Sequence, residues 1–134
     1  MPKGWSKGTS MKWLDRTLIA GPHLALARTE KQFNKLLKYL RVPKKEWPQF
    51  HLSGSNSATI HLKDGNGENV CIVTLHCATK DKNRIYSLLV HEAVHVWQYK
   101  IEGIGEDRPS DEFEAYSIQA ISKSLFDEYK RQVK

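Results

Sequence analysis

The sequence of 134 residues predicts an α+β fold, because it combines one β-hairpin pattern with three helical patterns. The elements are predicted as a hairpin over about 57–76 and helices over about 30–41, 84–101 and 111–130. The length is sufficient for one hydrophobic core, so we expect residues 1–134 to form one domain. Residues 1–10 contain several Gly, Lys and Ser, and we expect them to be flexible.

The first helix is predicted from a capping box followed by an apolar stripe. Thr29 is the expected N-cap, with Gln32 three residues later. Phe33, Leu36 and Leu40 then recur at helical spacing up to the break at Pro43. We expect this amphipathic helix to cover one side of the sheet.

The hairpin is predicted from two β-like runs that flank a strong turn signal. Residues 57–62 alternate and are rich in β-branched side chains, and 70–76 resume a β pattern after the Asp-Gly-Asn-Gly turn at 64–67. Earlier in the chain, residues 11–20 fit either a short helix or an irregular strand, and Gly21-Pro22 fits a turn.

Composition indicates an ordinary globular protein. The hydrophobic fraction is 40% and the charged fraction 27%. No segment has the apolar length of a membrane span and the N-terminus lacks a secretory signal, so we expect a cytoplasmic protein that does not enter a membrane. We interpret Cys71 and Cys77 as buried free thiols.

The chain is basic, with a formal net charge of +6. Nucleic acid is therefore a conceivable partner. The basic residues between Lys31 and Lys45 are interpreted first as the solvated face of the first helix, with a docking surface for a polyanion as the alternative. The sequence indicates no oligomeric state.

The second helical pattern includes the segment from Leu88 to Gln98. This segment contains His91-Glu92-Ala93-Val94-His95 within an otherwise apolar run. On a helix, residues four apart lie on the same face, so His91 and His95 can bind one metal ion. Glu92 lies about 100° away around the helix, where it can reach a water molecule without being a ligand. This spacing is typical of zinc hydrolases.

An alternative interpretation is a buried helix with two hydrogen-bonded histidines and a salt-bridged Glu92. Asp81 or Asn83 is the expected cap of this helix, and Val90, Val94, Trp97 and Ile101 are expected in the core. Phe113, Ile118, Ile121, Leu125 and Phe126 are expected to pack the last helix against it. The remaining histidines, His23, His51, His61 and His76, are interpreted as surface or hydrogen-bonded residues.

A third metal ligand is expected from the last helix, which follows Pro109 with Ser110 or Asp111 as its cap. The two segments 91–95 and 112–116 together resemble the gluzincin arrangement, in which a Glu on a following helix is the third zinc ligand. The Glu-Phe-Glu-Ala segment is also similar to the Glu-x-x-Ala segment of the CAAX-processing zinc proteases. This resemblance implies that Glu112 is the ligand; Glu114, about 200° around the helix, is the alternative.

The resemblance covers about a quarter of the chain, from Leu88 to roughly Gln119. It is closer to small soluble gluzincins, including uncharacterised phage and bacterial proteins, than to the membrane proteases. Tyr116 departs from the pattern of the CAAX-processing family, which commonly has Asp at that place.

The expected function is that of a zinc metallopeptidase acting on a protein or peptide substrate. In this hypothesis His91, His95 and Glu112 hold Zn²⁺, and Glu92 is the general base. The candidates for a further oxyanion donor are Tyr99, Tyr116, His76 and Arg84. One alternative is a catalytically silent zinc-binding module that contacts nucleic acid or a protein partner through its basic surface. Another is a self-inhibited peptidase whose N-terminal stretch covers the cleft.

Overall fold

A computed structural model describes residues 23–51, 54–77, 79–103, 105 and 109–134. It confirms the predicted α+β class, with three α-helices and a three-stranded mixed sheet. The elements in chain order are β1 (His23–Ala27), α1 (Glu30–Tyr39), a short 3-10 helix (Lys44–Glu46), β2 (Ser57–Lys63), β3 (Asn69–Leu75), α2 (Lys82–Gly103) and α3 (Asp111–Val133).

The strands of the sheet lie in the order β1-β3-β2. β2 and β3 are antiparallel, with Ser57 opposite Leu75, which confirms the predicted hairpin. The Asp64 carboxylate accepts the backbone N–H groups of Asn66 and Glu68 and so fixes the turn between them. β1 is parallel to β3, with His23 opposite Val70. β1 was not predicted.

The sheet has helices on both faces, and alternate residues of its strands point to opposite faces. One core cluster joins the sheet to α2 and α3, and the other joins it to α1, which confirms that the first helix covers one side of the sheet. The strand residues of the first cluster are Leu24, Leu26, Cys71, Val73 and Leu75, and those of the second are Ala25, Ala27, Val70 and Ile72.

Local capping signals set where the helices begin. Thr29 Oγ1 accepts the backbone N–H of Gln32 at 3.1 Å, as predicted for α1. The Gln32 carboxamide in turn accepts the N–H of Arg28 at 2.7 Å, one residue before the cap. At the start of α2, Asp81 Oδ1 accepts the N–H of Asn83, and Ser110 Oγ accepts the N–H of Phe113 at the start of α3.

The buried stripe of α2 differs in part from the prediction. Trp97 is buried as expected, but Val90 is 40% exposed, and the expectation that Val90 lies in the core is wrong. The helix is apolar around most of its circumference near position 90, and the sheet contacts the side that carries Leu89, Ala93 and Val96 instead. In α3, Ile121 and Leu125 are buried as expected, and Ile118 and Phe126 pack against the same cluster. Phe113 is 40% exposed, but its ring meets the Trp97 ring edge-on, with the ring centroids 5.2 Å apart.

Polar contacts attach the end of α3 to β1. Gln132 Nε2 donates to the backbone carbonyl of Leu26 at 3.1 Å and to Glu128 Oε2 at 2.8 Å. Arg131 donates two hydrogen bonds to the buried Glu128 carboxylate. Since the charges are paired, this network holds α3 in place at modest desolvation cost.

Several sequence-based expectations lie outside the described residues. These are the flexible segment 1–10, the helix or strand at 11–20 and the turn at Gly21-Pro22. Among the described residues, no helix has both the length and the apolar character that a membrane crossing requires. Cys71 and Cys77 are free thiols, as expected, but only Cys71 is fully buried, and its burial raises its pKa to about 12.

Candidate active site

The two histidines of the motif lie side by side on the exposed side of α2. Both are exposed, and their ring centroids are 5.0 Å apart at an interplanar angle of 74°. Gln98 Oε1 lies 3.0 Å from His95 Nδ1, so Nε2 is the ring nitrogen of His95 that takes no part in this contact. A hydrogen bond to one imidazole nitrogen is the usual way in which a ligating histidine is oriented. The pair therefore has the arrangement of two adjacent metal ligands.

The Glu92 side chain points toward β2 and is only 3% exposed. Its Oε2 atom accepts a hydrogen bond from Ser57 Oγ at 2.6 Å, and Oε1 accepts one from Thr59 Oγ1 at 2.8 Å. Thr59 Oγ1 also lies 3.2 Å from the backbone oxygen of Glu92. The alternative interpretation predicted a salt bridge for this carboxylate. Its partners are instead two hydroxyl groups of the neighbouring strand.

β2 forms one edge of the described sheet, next to the histidine pair. The His76 N–H donates to the Asn56 carbonyl at 3.0 Å, so residues 56 and 76 are a hydrogen-bonded pair of the ladder. Because such pairs alternate in an antiparallel ladder, Ser57, Thr59 and His61 direct their backbone N–H and C=O groups away from β3. The edge beside α2 therefore offers backbone hydrogen-bonding groups to another extended chain.

A cleft of about 380 Å³ lies between the start of β2 and the N-terminal half of α2. It is lined by Ser55, Asn56, Ser57, Ser87, Leu88, His91 and Glu92. Its wall thus includes the first histidine of the motif, the motif carboxylate and the hydroxyl that holds this carboxylate. A metal-ligand candidate and a proton-acceptor candidate share one solvent-accessible space.

The two acidic candidates of α3 face in different directions. Glu114 is directed toward α2, and its Oε2 atom accepts a hydrogen bond from Trp97 Nε1 at 2.9 Å. Ser117, Ile121 and Leu125 are buried on the same side of α3. Glu112 is nine residues before Ile121, which places it about half a turn away from this buried side, and it is exposed.

Glu114 and Gln98 line the same cleft. This second cleft, of about 540 Å³, lies between α2 and α3, and Trp97, Gln98, Glu102 and Glu114 are among its lining residues. Gln98 is the residue that contacts His95. In the described part of the chain, however, no three His, Cys, Asp or Glu side chains are close enough together to hold a metal ion. The structure brings His91 and His95 together and does not add Glu112 or Glu114 to them.

The oxyanion candidates from the sequence are Tyr116, Tyr99, Arg84 and His76. Tyr116 is 66% exposed, and Tyr99 stacks on His61 with ring centroids 4.4 Å apart. Neither these two residues nor Arg84 and His76 line the cleft that contains His91 and Glu92.

His76 is not the surface histidine that was one of the two expectations. Both of its ring nitrogens are buried, and its contact with the Ser55 backbone can satisfy at most one of them. Its ring lies 4.2 Å from the His51 ring and 5.4 Å from the Phe50 ring, centroid to centroid. Burial and the neighbouring His51 lower the pKa of His76, and the charge of Glu92 partly opposes this.

Sequence reasoning missed the two hydroxyls that hold Glu92. Ser57 and Thr59 are two residues apart in a predicted strand, so they necessarily share one face of the sheet. Polar residues at alternate positions were a signal that this face meets a polar group. Only the packing of α2 on β2 identifies that group as Glu92.

Comparisons with known proteins add no relative. A scan of protein-family models, a search of curated proteins and a search of solved structures each gave no match to the chain.

Proposed function

We propose that this chain is a metal-dependent peptidase in which His91 and His95 are metal ligands and Glu92 is the general base. The observation that carries the proposal is the shared cleft. His91 and Glu92 line one cleft, and β2, an edge strand of the described sheet, begins at the same place. Ligand, base and a strand edge for an extended substrate are the components that metal-assisted peptide hydrolysis requires.

The histidine pair fits a divalent metal such as Zn²⁺. Two exposed imidazoles one helical turn apart match the two-histidine part of a zinc site, and the contact of His95 with Gln98 orients one of them. When bound, the metal would supply Lewis acidity, which makes water more acidic and a carbonyl carbon more electrophilic.

Glu92 is placed to accept a proton from a water molecule in the cleft and to return it to the leaving amine. Ser57 and Thr59 fix both oxygens of its carboxylate. Each carboxylate oxygen has a second lone pair, so a water molecule can add to these contacts without displacing them. The two hydroxyls therefore act as positioning groups that keep the base oriented.

For the third ligand, the geometry favours Glu114 over Glu112. Glu114 lies on the side of α3 that faces α2, and the Trp97 indole N–H binds one of its oxygens. Such a hydrogen bond is typical of the support around a ligating carboxylate. A ligand role for Glu114 requires its side chain to move toward His95, past Gln98. Glu112 would require a larger change, because it lies on the opposite side of α3.

The proposed substrate is an extended segment of a protein or peptide. Backbone groups of Ser57, Thr59 and His61, on the side of β2 that faces away from β3, would pair with it. This pairing would lay the substrate backbone beside His91 and Glu92 without dictating its side chains.

The test combines metal binding with peptide hydrolysis. The protein, loaded with zinc and freed of excess metal, should retain about one equivalent of zinc. His91→Ala and His95→Ala should lose it, whereas the control His61→Ala, at an exposed histidine of β2, should keep it. Glu92→Gln should retain zinc and lose hydrolysis of a peptide library.

Two other outcomes would contradict the proposal. Zinc retained by His91→Ala would exclude the proposed site. Zinc bound through His91 and His95, with no hydrolysis by the parent protein, would favour the alternative of a silent zinc-binding module.

A further inference from the structure

A third cleft, of about 720 Å³, lies where the parallel strands β1 and β3 end. Arg28 follows β1, and His76 and Cys77 follow β3. Lys82, the first residue of α2, and Tyr129 from α3 form other parts of its wall. Its volume is that of a typical small-molecule site, and the carboxyl ends of parallel strands are a frequent place for such sites.

The cleft is basic. Arg28, Lys80 and Lys82 line it, and none of its described lining residues is acidic. Asp81 lies between the two lysines in the chain but is not among the residues that line the cleft, and its carboxylate accepts the N–H of Asn83. The start of α2 adds the positive end of a helix dipole. Three cations in one cleft favour a ligand group with two negative charges, such as a phosphate monoester, over a single carboxylate.

The cleft also has an apolar and aromatic part. Phe50, Leu75, Ile85 and Tyr129 contribute to it. The Arg28 guanidinium lies 5.6 Å from the centre of the Tyr129 ring, so one of the cations is held against an aromatic surface. An aromatic platform beside cations matches a ligand that joins a planar ring to a phosphate.

His76 supplies an independent indication that a ligand is involved. It lines this cleft with both ring nitrogens buried; the Ser55 backbone can accept from at most one of them, so at least one has no partner among the described residues. A buried polar atom without a partner is costly. Burial also lowers the pKa of His76, which keeps the ring neutral near pH 7 with one N–H to donate.

We propose that this cleft binds a small phosphorylated ligand with an aromatic ring, of the nucleoside monophosphate class. The phosphate would lie among Arg28, Lys80 and Lys82, and the base against Phe50 and Tyr129. The inference does not depend on the proposed peptidase activity. The two sites lie at different places along α2, since the peptidase cleft begins at Ser87 and this cleft ends at Ile85.

The test is an NMR titration of the full chain with adenosine 5′-monophosphate at low salt. Amide resonances of Thr79, Lys80 and Lys82 should shift together and saturate. Inorganic phosphate should shift the same residues at higher concentration, because it lacks the ring. Absence of any shift at millimolar nucleotide would overturn the proposal.

Charge reversal separates a specific site from general attraction to a basic protein. The double variant Lys80→Glu, Lys82→Glu should weaken binding by about tenfold or more, since two charges that contact the phosphate are inverted. The matched control Lys35→Glu, Lys38→Glu changes the net charge equally on the exposed side of α1 and should leave affinity within about twofold. Both double variants invert exposed residues, and their circular dichroism should match that of the parent.

Equal weakening by both double variants would show unspecific attraction and overturn the proposal. So would a single-stranded oligonucleotide that shifts the α1 lysines while the monophosphate shifts nothing.

Discussion

Ser57 Oγ lies 2.6 Å from Glu92 Oε2, so the carboxylate of the motif is hydrogen-bonded to the edge strand of the sheet. This contact joins a helix and a strand that are separate in the chain. Thr59 binds the second oxygen of the same carboxylate. The two contacts together determine which way the Glu92 side chain points.

Ser57→Ala should lower the free energy of unfolding by about 1–3 kcal/mol, because a buried carboxylate oxygen loses its donor. It should also reduce peptide hydrolysis, since Glu92 would be less well oriented. Chemical denaturation and a peptidase assay measure the two effects. Ser87→Ala is the matched control, because Ser87 lines the same cleft but donates only to the Arg84 carbonyl. Equal stability of the two variants would mean that the Ser57–Glu92 contact does not form in solution.

Glu114→Gln should weaken zinc binding strongly, and Glu112→Gln should change it little. Gln at position 114 can still accept the Trp97 N–H through its carbonyl, so helix packing should be preserved while the ligand charge is lost. Zinc affinity by competition with a chelator measures the effect. The Trp97 indole N–H resonance should shift in Glu114→Gln and remain in place in Glu112→Gln. The opposite order of zinc affinities would identify Glu112 as the ligand.

Acidification should destabilise the protein through His76. Because the pKa of His76 in the folded state is below its ordinary value of 6.5, the unfolded chain binds the proton more readily. The stability that His76 contributes is therefore present above pH 6.5 and is lost as the pH falls through the folded-state pKa. Denaturation at several pH values between 7.5 and 5 should show a smaller loss for His76→Gln than for the parent. His61→Gln, on the same sheet, should keep the parent's loss; equal behaviour of the two variants would exclude His76 as the source.

Leu89→Ala should cost about 2–5 kcal/mol of unfolding free energy, because Leu89 is fully buried between α2 and the sheet. Val90→Ala should change stability by no more than about 0.5 kcal/mol, because Val90 is 40% exposed and belongs to neither core cluster. Thermal or chemical denaturation of the two variants measures this difference. A larger loss for Val90→Ala would restore the core that the sequence predicts.

Elements with local signals could be predicted from the sequence. The cap at Thr29, the turn at Asp64 and the cap at Ser110 each depend on side chains within a few residues, and each is present in the structure. These signals were enough for the three helices and the hairpin. The adjacency of His91 and His95 follows in the same way from helical spacing alone.

Features that depend on distant parts of the chain could not be predicted. β1 consists of His, Leu and Ala, without β-branched residues, and it is a strand because it pairs with β3. The buried side of α2 near Val90 and Leu89 was ambiguous because both are apolar. The inward direction of Glu114 was partly readable, since it shares the spacing of Ser117 and Ile121. The motif resemblance that favoured Glu112 carries no information on how α3 is rotated.

The strand order has a consequence for the folding kinetics of this chain. β3 lies between β1 and β2, so the two described edge strands make no ladder with each other. The β2–β3 hairpin can close early because its turn is short, whereas β1 must find a partner far along the chain. We therefore expect docking of β1 onto a preformed hairpin to limit the folding rate, so that destabilising substitutions in β1 slow folding.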